Sequence, residues 1–248
     1  MAIFRQAVRS IAARGLLPTT LSSAELEALD VGVRARAFFS ARVTNAQVLS
    51  TMRDRLMALV TGEQQGPGQY TNPATVRLAI REALDATDYM PEAGTEGTIR
   101  DLRSDQRLNL IVRTQEQMAT GYGQRLQSLD ADTIDQWPAW ELVRVEDRNE
   151  KREWVQRWRA AGGQVFPGNS TGLPLSPGFS EGRLIALKTD PIWAAISRFG
   201  NPHPPFDFNS GVGVEDVDRE TTDELGLTMP GQTISATAPT ADDWDSET

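Results

Sequence analysis

The chain of 248 residues is 39% hydrophobic and 24% charged, and its 25 basic against 34 acidic side chains leave a formal net charge of −9. That length suffices for one large or two small globular domains. Cysteine is absent and His203 is the single histidine, which excludes disulfides, thiolate metal sites, cysteine nucleophiles and a two-histidine zinc site, and leaves a Ser/His/Asp triad conceivable only with His203 as its base.

In chain order, residues 1–20 read as an amphipathic arm, with Ile3, Phe4, Val8 and Ile11 near one helix face. Arg5, Arg9 and Arg14 recur in that arm where the apolar core of a signal peptide would sit, and no run approaches the roughly 18 apolar residues of a membrane span. The expectation is therefore a soluble protein made in a cytoplasm, with no membrane partner. Ser22 followed by Glu25 is a capping box, after which Leu26, Leu29, Val33, Ala37, Val48, Met52, Leu56 and Leu59 recur near helical spacing up to Gly62. This predicts one long helix or a broken pair. GEQQGPGQYTN is a loop by composition, and Asn72-Pro73 opens a helix that runs to about Ala86. A second loop over 87–97 precedes a third long helix, marked by Leu102, Leu108, Ile111, Val112, Gln115, Met118, Ala119 and Tyr122 and ending near Gly123.

The second half changes character. Trp140, Leu142, Val143 and Val145 predict a short strand after Pro138, and EKREWVQRWRAAGG predicts a helix stopped by Gly162-Gly163. Trp154 and Trp158, four apart, share one face of that helix, which points to core packing. Residues 164–182 are rich in Gly, Pro, Ser and Thr and read as an exposed loop; GRLIALK is another short strand candidate. Asp190-Pro191 caps a helix over Ile192, Trp193, Ala195 and Ile196, a Pro-rich turn follows over NPHPPFDFNSGVG, and Asp218 caps a last short helix ended by Gly226. The expected fold class is α+β, predominantly helical, divided into the 1–20 arm, a helical domain over 21–130, a small α+β domain over 131–227 and an acidic flexible arm over 228–248.

Charge is distributed unevenly along these parts. Residues 1–81 carry ten basic against five acidic groups, 82–202 carry 14 against 18, and 203–248 carry one against 11, so the net charges are +5, −4 and −10. A basic front and an acidic rear suit contact with two different partners or head-to-tail contact between copies, and Arg5, Arg9 and Arg14 are the candidate partner-binding residues.

Three segments, RLNLIVRTQEQMATGYGQ, PAWELVRVEDRNEKREW and HPPFDFNSGVGVEDV, occur in this order over about residues 100–227. In order and spacing the chain resembles the minor head, or head-morphogenesis, proteins of Mu-like phages, as a short member. The resemblance matches the family's Arg-Thr-x-Glu element to Arg113, Thr114 and Glu116. It matches the aromatic strand with its Asp-Arg element to Trp140, Asp147 and Arg148, and the closing turn to Pro204, Pro205 and Asn209. Where the family often continues with cysteines, this chain has Ser210 and Gly211, and the histidine that commonly follows Asp-Arg is missing, so no metal-binding or cysteine role carries over.

What the resemblance implies is a structural virion protein of a tailed phage: a minor head or portal- and neck-associated component, made in the host cytoplasm, that binds portal, capsid or neck proteins. Several copies, or a homo-oligomeric ring, would let weak contacts add. No catalytic residue, cofactor or metal is expected, since nothing in the spacing identifies a nucleophile. The alternatives are a phage-associated nuclease or transferase domain, or a packaging accessory protein that meets DNA through its basic front. From the residues themselves, Arg113, Glu116 and Asp147-Arg148 read as a charged structural network, and His203 as a turn residue.

Overall fold

A computed structural model describes residues 12, 14–22, 25–26, 28–29, 37–38, 40, 43–62, 64–66, 69–149, 151–172 and 178–236. The fold class is α+β: seven helices and a three-stranded antiparallel sheet, with two smaller strand pairs, are present among these residues. The chain divides between Thr120 and Gly121 into two compact units.

In the first unit, β1 (Gly15–Leu16) pairs in parallel with β2 (Ala37–Phe38), and β3 (Gln64–Gly66) pairs antiparallel with β4 (Gln69–Tyr70). The helices are α1 (Ala46–Thr61), α2 (Pro73–Asp85) and the first part of α3 (Asp105–Ser128). The capping box forms, Ser22 N–H donating to Glu25 at 2.8 Å and Glu25 N–H to Ser22 Oγ at 3.4 Å, but no long helix runs from it to Gly62. Ala37 and Phe38 lie in a strand, and helix restarts at Ala46 because extended Asn45 accepts the amides of Gln47 and Val48. Gly62 ends α1 in the left-handed region at φ 65°. Asn72 and Thr75 form a reciprocal cap on α2, with Pro73 in its first turn as expected. Leu49, Met52 and Leu56 of α1, Val76, Ile80 and Leu84 of α2, and Leu108 and Val112 of α3 make the core. The three- and four-residue spacings put one stripe of each helix inside.

The second unit begins with the last part of α3 and α4 (Ala131–Gln136). Its sheet has the order β6-β5-β7, with β5 (Ala139–Arg144) central between β6 (Ile185–Leu187) and β7 (Val212–Val217). The remaining helices are α5 (Trp154–Ala160), α6 (Ile192–Ala195) and α7 (Arg219–Glu224). Several expectations need correction here. Helix α3 continues five residues beyond Gly123, α5 starts only at Trp154, and Val145 lies just outside β5. Residues 164–182 are not wholly exposed: Phe166, Ser170 and Phe179 are buried, and Phe166 exchanges backbone hydrogen bonds with Arg183. Both α4 and β7 are additions to the predicted elements.

Both expected arms are tied down where they are described. Leu17 N–H donates to Phe38 and Thr19 N–H to Val43 across the β1 end, while Arg5 and Arg9 lie outside the described residues. At the other end Ile234 is buried against Leu129 and Ile134, Thr228 Oγ1 bonds to Thr222 and Asp223, and Arg219 donates to the Gln232 carbonyl at 2.8 Å. Apolar burial, absent from the composition argument, orders residues 228–236. Residues 237–248 of the acidic arm lie outside the described residues.

Candidate functional site

The second unit is built around Trp193, which is fully buried and touches three rings. Trp158 lies edge-on with centroids 5.3 Å away, Trp140 edge-on at 5.7 Å, and Phe206 stacked at 5.8 Å. Three of the four indoles in this core place their N–H on an acceptor, whereas Trp154 Nε1 has none among the described residues. Trp193 Nε1 donates to the Leu187 carbonyl at 2.8 Å, Trp158 Nε1 to the Gln164 carbonyl at 2.8 Å, and Trp140 Nε1 to Asp216 at 3.1 Å. Trp154 and Trp158 are both buried, so the helix face they share is a core face.

Phe206 carries the chain from this core directly into a polar centre. Asp207 is buried, and three guanidiniums converge on its carboxylate: Arg152 Nε at 3.0 Å, Arg157 Nη1 at 3.1 Å and Arg198 Nη1 at 3.5 Å. Phe208 N–H supplies a fourth donor at 2.7 Å. Arg152 also reaches the Phe208 carbonyl at 2.5 Å and the Asn209 carbonyl at 3.3 Å, so one side chain ties the segment before α5 to the closing turn. Asn209 takes a left-handed conformation at φ 47°, which asparagine tolerates better than most residues. Gly211, at φ 68°, brings the chain beneath the Asp-Arg element: its carbonyl accepts from Val145 and Glu146 N–H, and a Cβ there would lie 2.8 Å from Arg148 Cγ.

Of the motif residues of the second unit, Asp147, Arg148 and Asn209 come into one region, while Trp140 lies in the aromatic core. Asp147 pairs with Lys151 at 3.4 Å, Arg148 pairs with Glu146 and packs over Gly211, and Asn209 accepts from Arg152. Pro204 and Pro205, joined by a cis peptide, precede Phe206, and the Pro204 carbonyl packs on Gly121 of α3. His203 is buried in this turn, its Nδ1 2.8 Å from the Pro204 carbonyl and its ring edge-on to Tyr122. Arg125 holds the same turn through the Pro202 carbonyl at 2.9 Å and reaches the Lys188 carbonyl at 3.1 Å; burial pulls its guanidinium down to about 10. Of the first-unit motif, Thr114 is buried, Arg113 is exposed and Glu116 is partly buried, with burial raising its carboxyl above the usual range. Arg14, read as a surface contact, is instead buried just before β1, with Nη1 4.0 Å from Met118 Sδ.

The sheet carries two further ion pairs. Fully buried Lys188 pairs with Asp216 at 2.5 Å, and burial lowers its ammonium below the ordinary lysine range. Glu141, buried on the opposite face, takes two bonds from Arg183 on Oε2, at 3.0 and 2.7 Å, while its Oε1 has no partner among the described residues. Asp207, its three arginines, Lys188 and Arg183 were missed in the sequence. The one available signal was the acid set between two phenylalanines in PPFDFN.

Chemically, this is a bracing centre. Four donors occupy Asp207, and among the described residues no group of three or more His, Asp or Glu side chains is placed to hold a metal ion. Comparison of the chain with protein-family models, with curated proteins and with solved structures yields no match.

Proposed function

We propose that this chain is a structural protein of a tailed-phage virion, a minor head or portal- and neck-associated component that acts in head assembly and head-tail connection by protein-protein binding. The observation that carries this reading is the convergence of its motif segments. Asp147-Arg148 and Asn209 lie more than 50 positions apart, yet Gly211 packs against Glu146 and Arg148, and Arg152 binds both Asp207 and the Asn209 carbonyl. Residues used in this way keep a small binding domain in one shape, which is what attachment in several copies requires, since each weak contact then repeats in a fixed geometry. The partners are portal, capsid or neck proteins of the same phage and further copies of this chain.

The test is quantitative mass spectrometry of purified particles of the phage that encodes the chain, followed by electron microscopy to locate it. The expected result is a fixed number of copies per particle beside the portal. Its absence from particles and from their assembly intermediates would sink the reading.

A further inference from the structure

Among the largest fully buried side chains of the described residues, Lys188 alone is charged. It follows β6, and its backbone N–H donates to the Pro138 carbonyl at 2.9 Å, just before β5. Trp140 on β5 stands opposite Ala186 on one side and Asp216 on the other, so these three residues are level across the sheet. Lys188 lies two positions beyond Ala186 and so shares their face. Its side chain crosses the central strand, with Nζ 5.9 Å from the centroid of the Trp140 ring, and reaches Asp216 Oδ1 at 2.5 Å. Trp140 Nε1 donates to the Asp216 carboxylate on the same oxygen, at 3.1 Å.

An ammonium carries three N–H donors, and Asp216 is the only acceptor that Lys188 Nζ meets among the described residues. Burial holds this ammonium below the ordinary lysine range, although Asp216 pulls the other way. Passing one proton to the carboxylate leaves an uncharged amine against an uncharged carboxyl group, and the fold keeps the two in contact. We propose that Lys188 and Asp216 condense into an amide cross-link, which straps the two outer strands of the sheet together over the central one. The amine lone pair forms the Nζ–Cγ bond while the carbonyl pair moves onto Oδ1, where the Trp140 N–H is in place to meet the developing charge. A proton then passes from Nζ to the hydroxyl Oδ2, the Cγ–Oδ2 bond breaks with its electron pair on oxygen, and the Oδ1 pair restores the carbonyl. One water leaves, and nothing is oxidised or reduced. The Asp216 side chain is 49% exposed, which gives that water a path to solvent. Holding the reacting groups in contact supplies an effective molarity on the order of 10⁵ M or more, which replaces chemical activation of the acid. The product also suits the site, since an amide has no charge and one N–H to satisfy where the ammonium has three.

The experiment is mass spectrometry of the full chain, intact and after denaturation and digestion. The wild type should be lighter than its sequence by one water, about 18 Da, and trypsin, which does not cut after an acylated lysine, should release a branched peptide that joins the Lys188 and Asp216 segments. Lys188→Met keeps the apolar stem without the amine, and Asp216→Ala removes the carboxyl group. Each should restore the full mass and give linear peptides alone. If either variant fails to fold, the branched peptide of the wild type still decides, because it is read on the denatured chain. A wild type that keeps its full mass, with both residues in linear peptides after the folded protein has been incubated from mildly acidic to mildly alkaline pH, overturns the cross-link. So does a loss of water that persists in both variants, since it would arise elsewhere in the chain. The bond forms or fails whether or not the chain enters particles, so the function proposed above is tested separately.

Discussion

Leu49, Met52 and Leu56 in the first unit and Trp154, Trp158 and Trp193 in the second are equally buried, but they are held by different physics. The first core is aliphatic and lies on helical stripes, so any side chain of similar volume satisfies it. The second is aromatic, and three of its indoles depend on particular acceptors at Leu187, Gln164 and Asp216. A polar layer around Asp207 lies immediately outside it. The contrast is between a unit specified by hydrophobic period and one specified by directed polar contacts around a few large rings. Substitutions should therefore be more costly, and less forgiving of volume-conserving replacement, in the second.

The largest expected effect follows from this. Trp193→Ala should cost about 3 to 5 kcal/mol, with the cavity and the lost ring contacts adding to the transfer term, and Leu56→Ala should fall lower in the range of about 2 to 5 kcal/mol. Denaturant titration of both variants measures the difference. Trp193→Phe sharpens it: volume is largely conserved, yet the Leu187 carbonyl loses its donor, so a loss above about 1 kcal/mol is expected. A neutral Trp193→Phe beside a costly Leu56→Met would reverse the comparison.

Next in size is Asp207→Asn. The side-chain volume is unchanged, but the anion that three guanidiniums share is gone. Removing one partner of a buried pair commonly costs about 3 to 5 kcal/mol, whereas these arginines are 24 to 35% exposed and partly screened by water, so about 2 to 3 kcal/mol is expected. A loss below about 1 kcal/mol in urea unfolding would show that the centre is no brace.

The same contrast explains what could be read in the sequence. Periodicity located α1, α2 and most of α3, since each buries one stripe and the caps at Asn72 and Gly62 are local chemistry. It failed at Ala37-Phe38, where pairing with β1 outweighs a helix-compatible spacing. In the second unit Trp140, Gly162 and Asp218 marked β5, α5 and α7, whereas β7 went unseen. VGVEDV has glycine and two acids, and it is a strand because β5 offers it a six-residue ladder. The Asp207 centre was invisible for the same reason: its arginines come from positions 152, 157 and 198, brought together only by the fold. The motif residues pointed to the right neighbourhood through Asp147, Arg148 and Asn209, but not to the acid at its middle.

A smaller effect, with a reversed sign, is expected at Gly121. Alanine in place of a mid-helix glycine ordinarily stabilises by about 1 kcal/mol. In α3 a Cβ at 121 would lie 1.8 Å from the Pro204 carbonyl oxygen and 2.9 Å from its carbon, both backbone atoms. The turn that carries Pro204-Pro205 would have to move, so Gly121→Ala should destabilise by about 1 to 2 kcal/mol net. Thermal unfolding that shows a gain instead would mean that this turn is free to shift, and that the second unit is no more rigidly specified than the first.

The smallest effects separate the units by pH. Burial raises the Glu116 carboxyl of the first unit above its usual 4.5, so the folded chain holds that proton more tightly than the unfolded chain does. Its contribution favours folding in acid and is lost as pH rises from about 4.5 through the raised value. Asp218 in the second unit behaves oppositely. The Thr221 backbone N–H, donating at 2.7 Å, and then the Thr221 side chain hold its carboxyl below its usual 3.8, so its stabilisation is present above that pH and lost as pH falls through the lowered value. Glu116→Gln should therefore stabilise slightly at pH 7 and lose that advantage in acid. Asp218→Asn keeps a capping oxygen but not the charge, and should destabilise at pH 7 by under about 1 kcal/mol, converging on the wild type toward pH 3. Urea titrations from pH 3 to 7 on both variants decide the matter. Parallel curves for the two would mean that neither carboxylate is held as its surroundings require, and the electrostatic distinction between a helix flank that tolerates a charge and a cap that uses one would be lost.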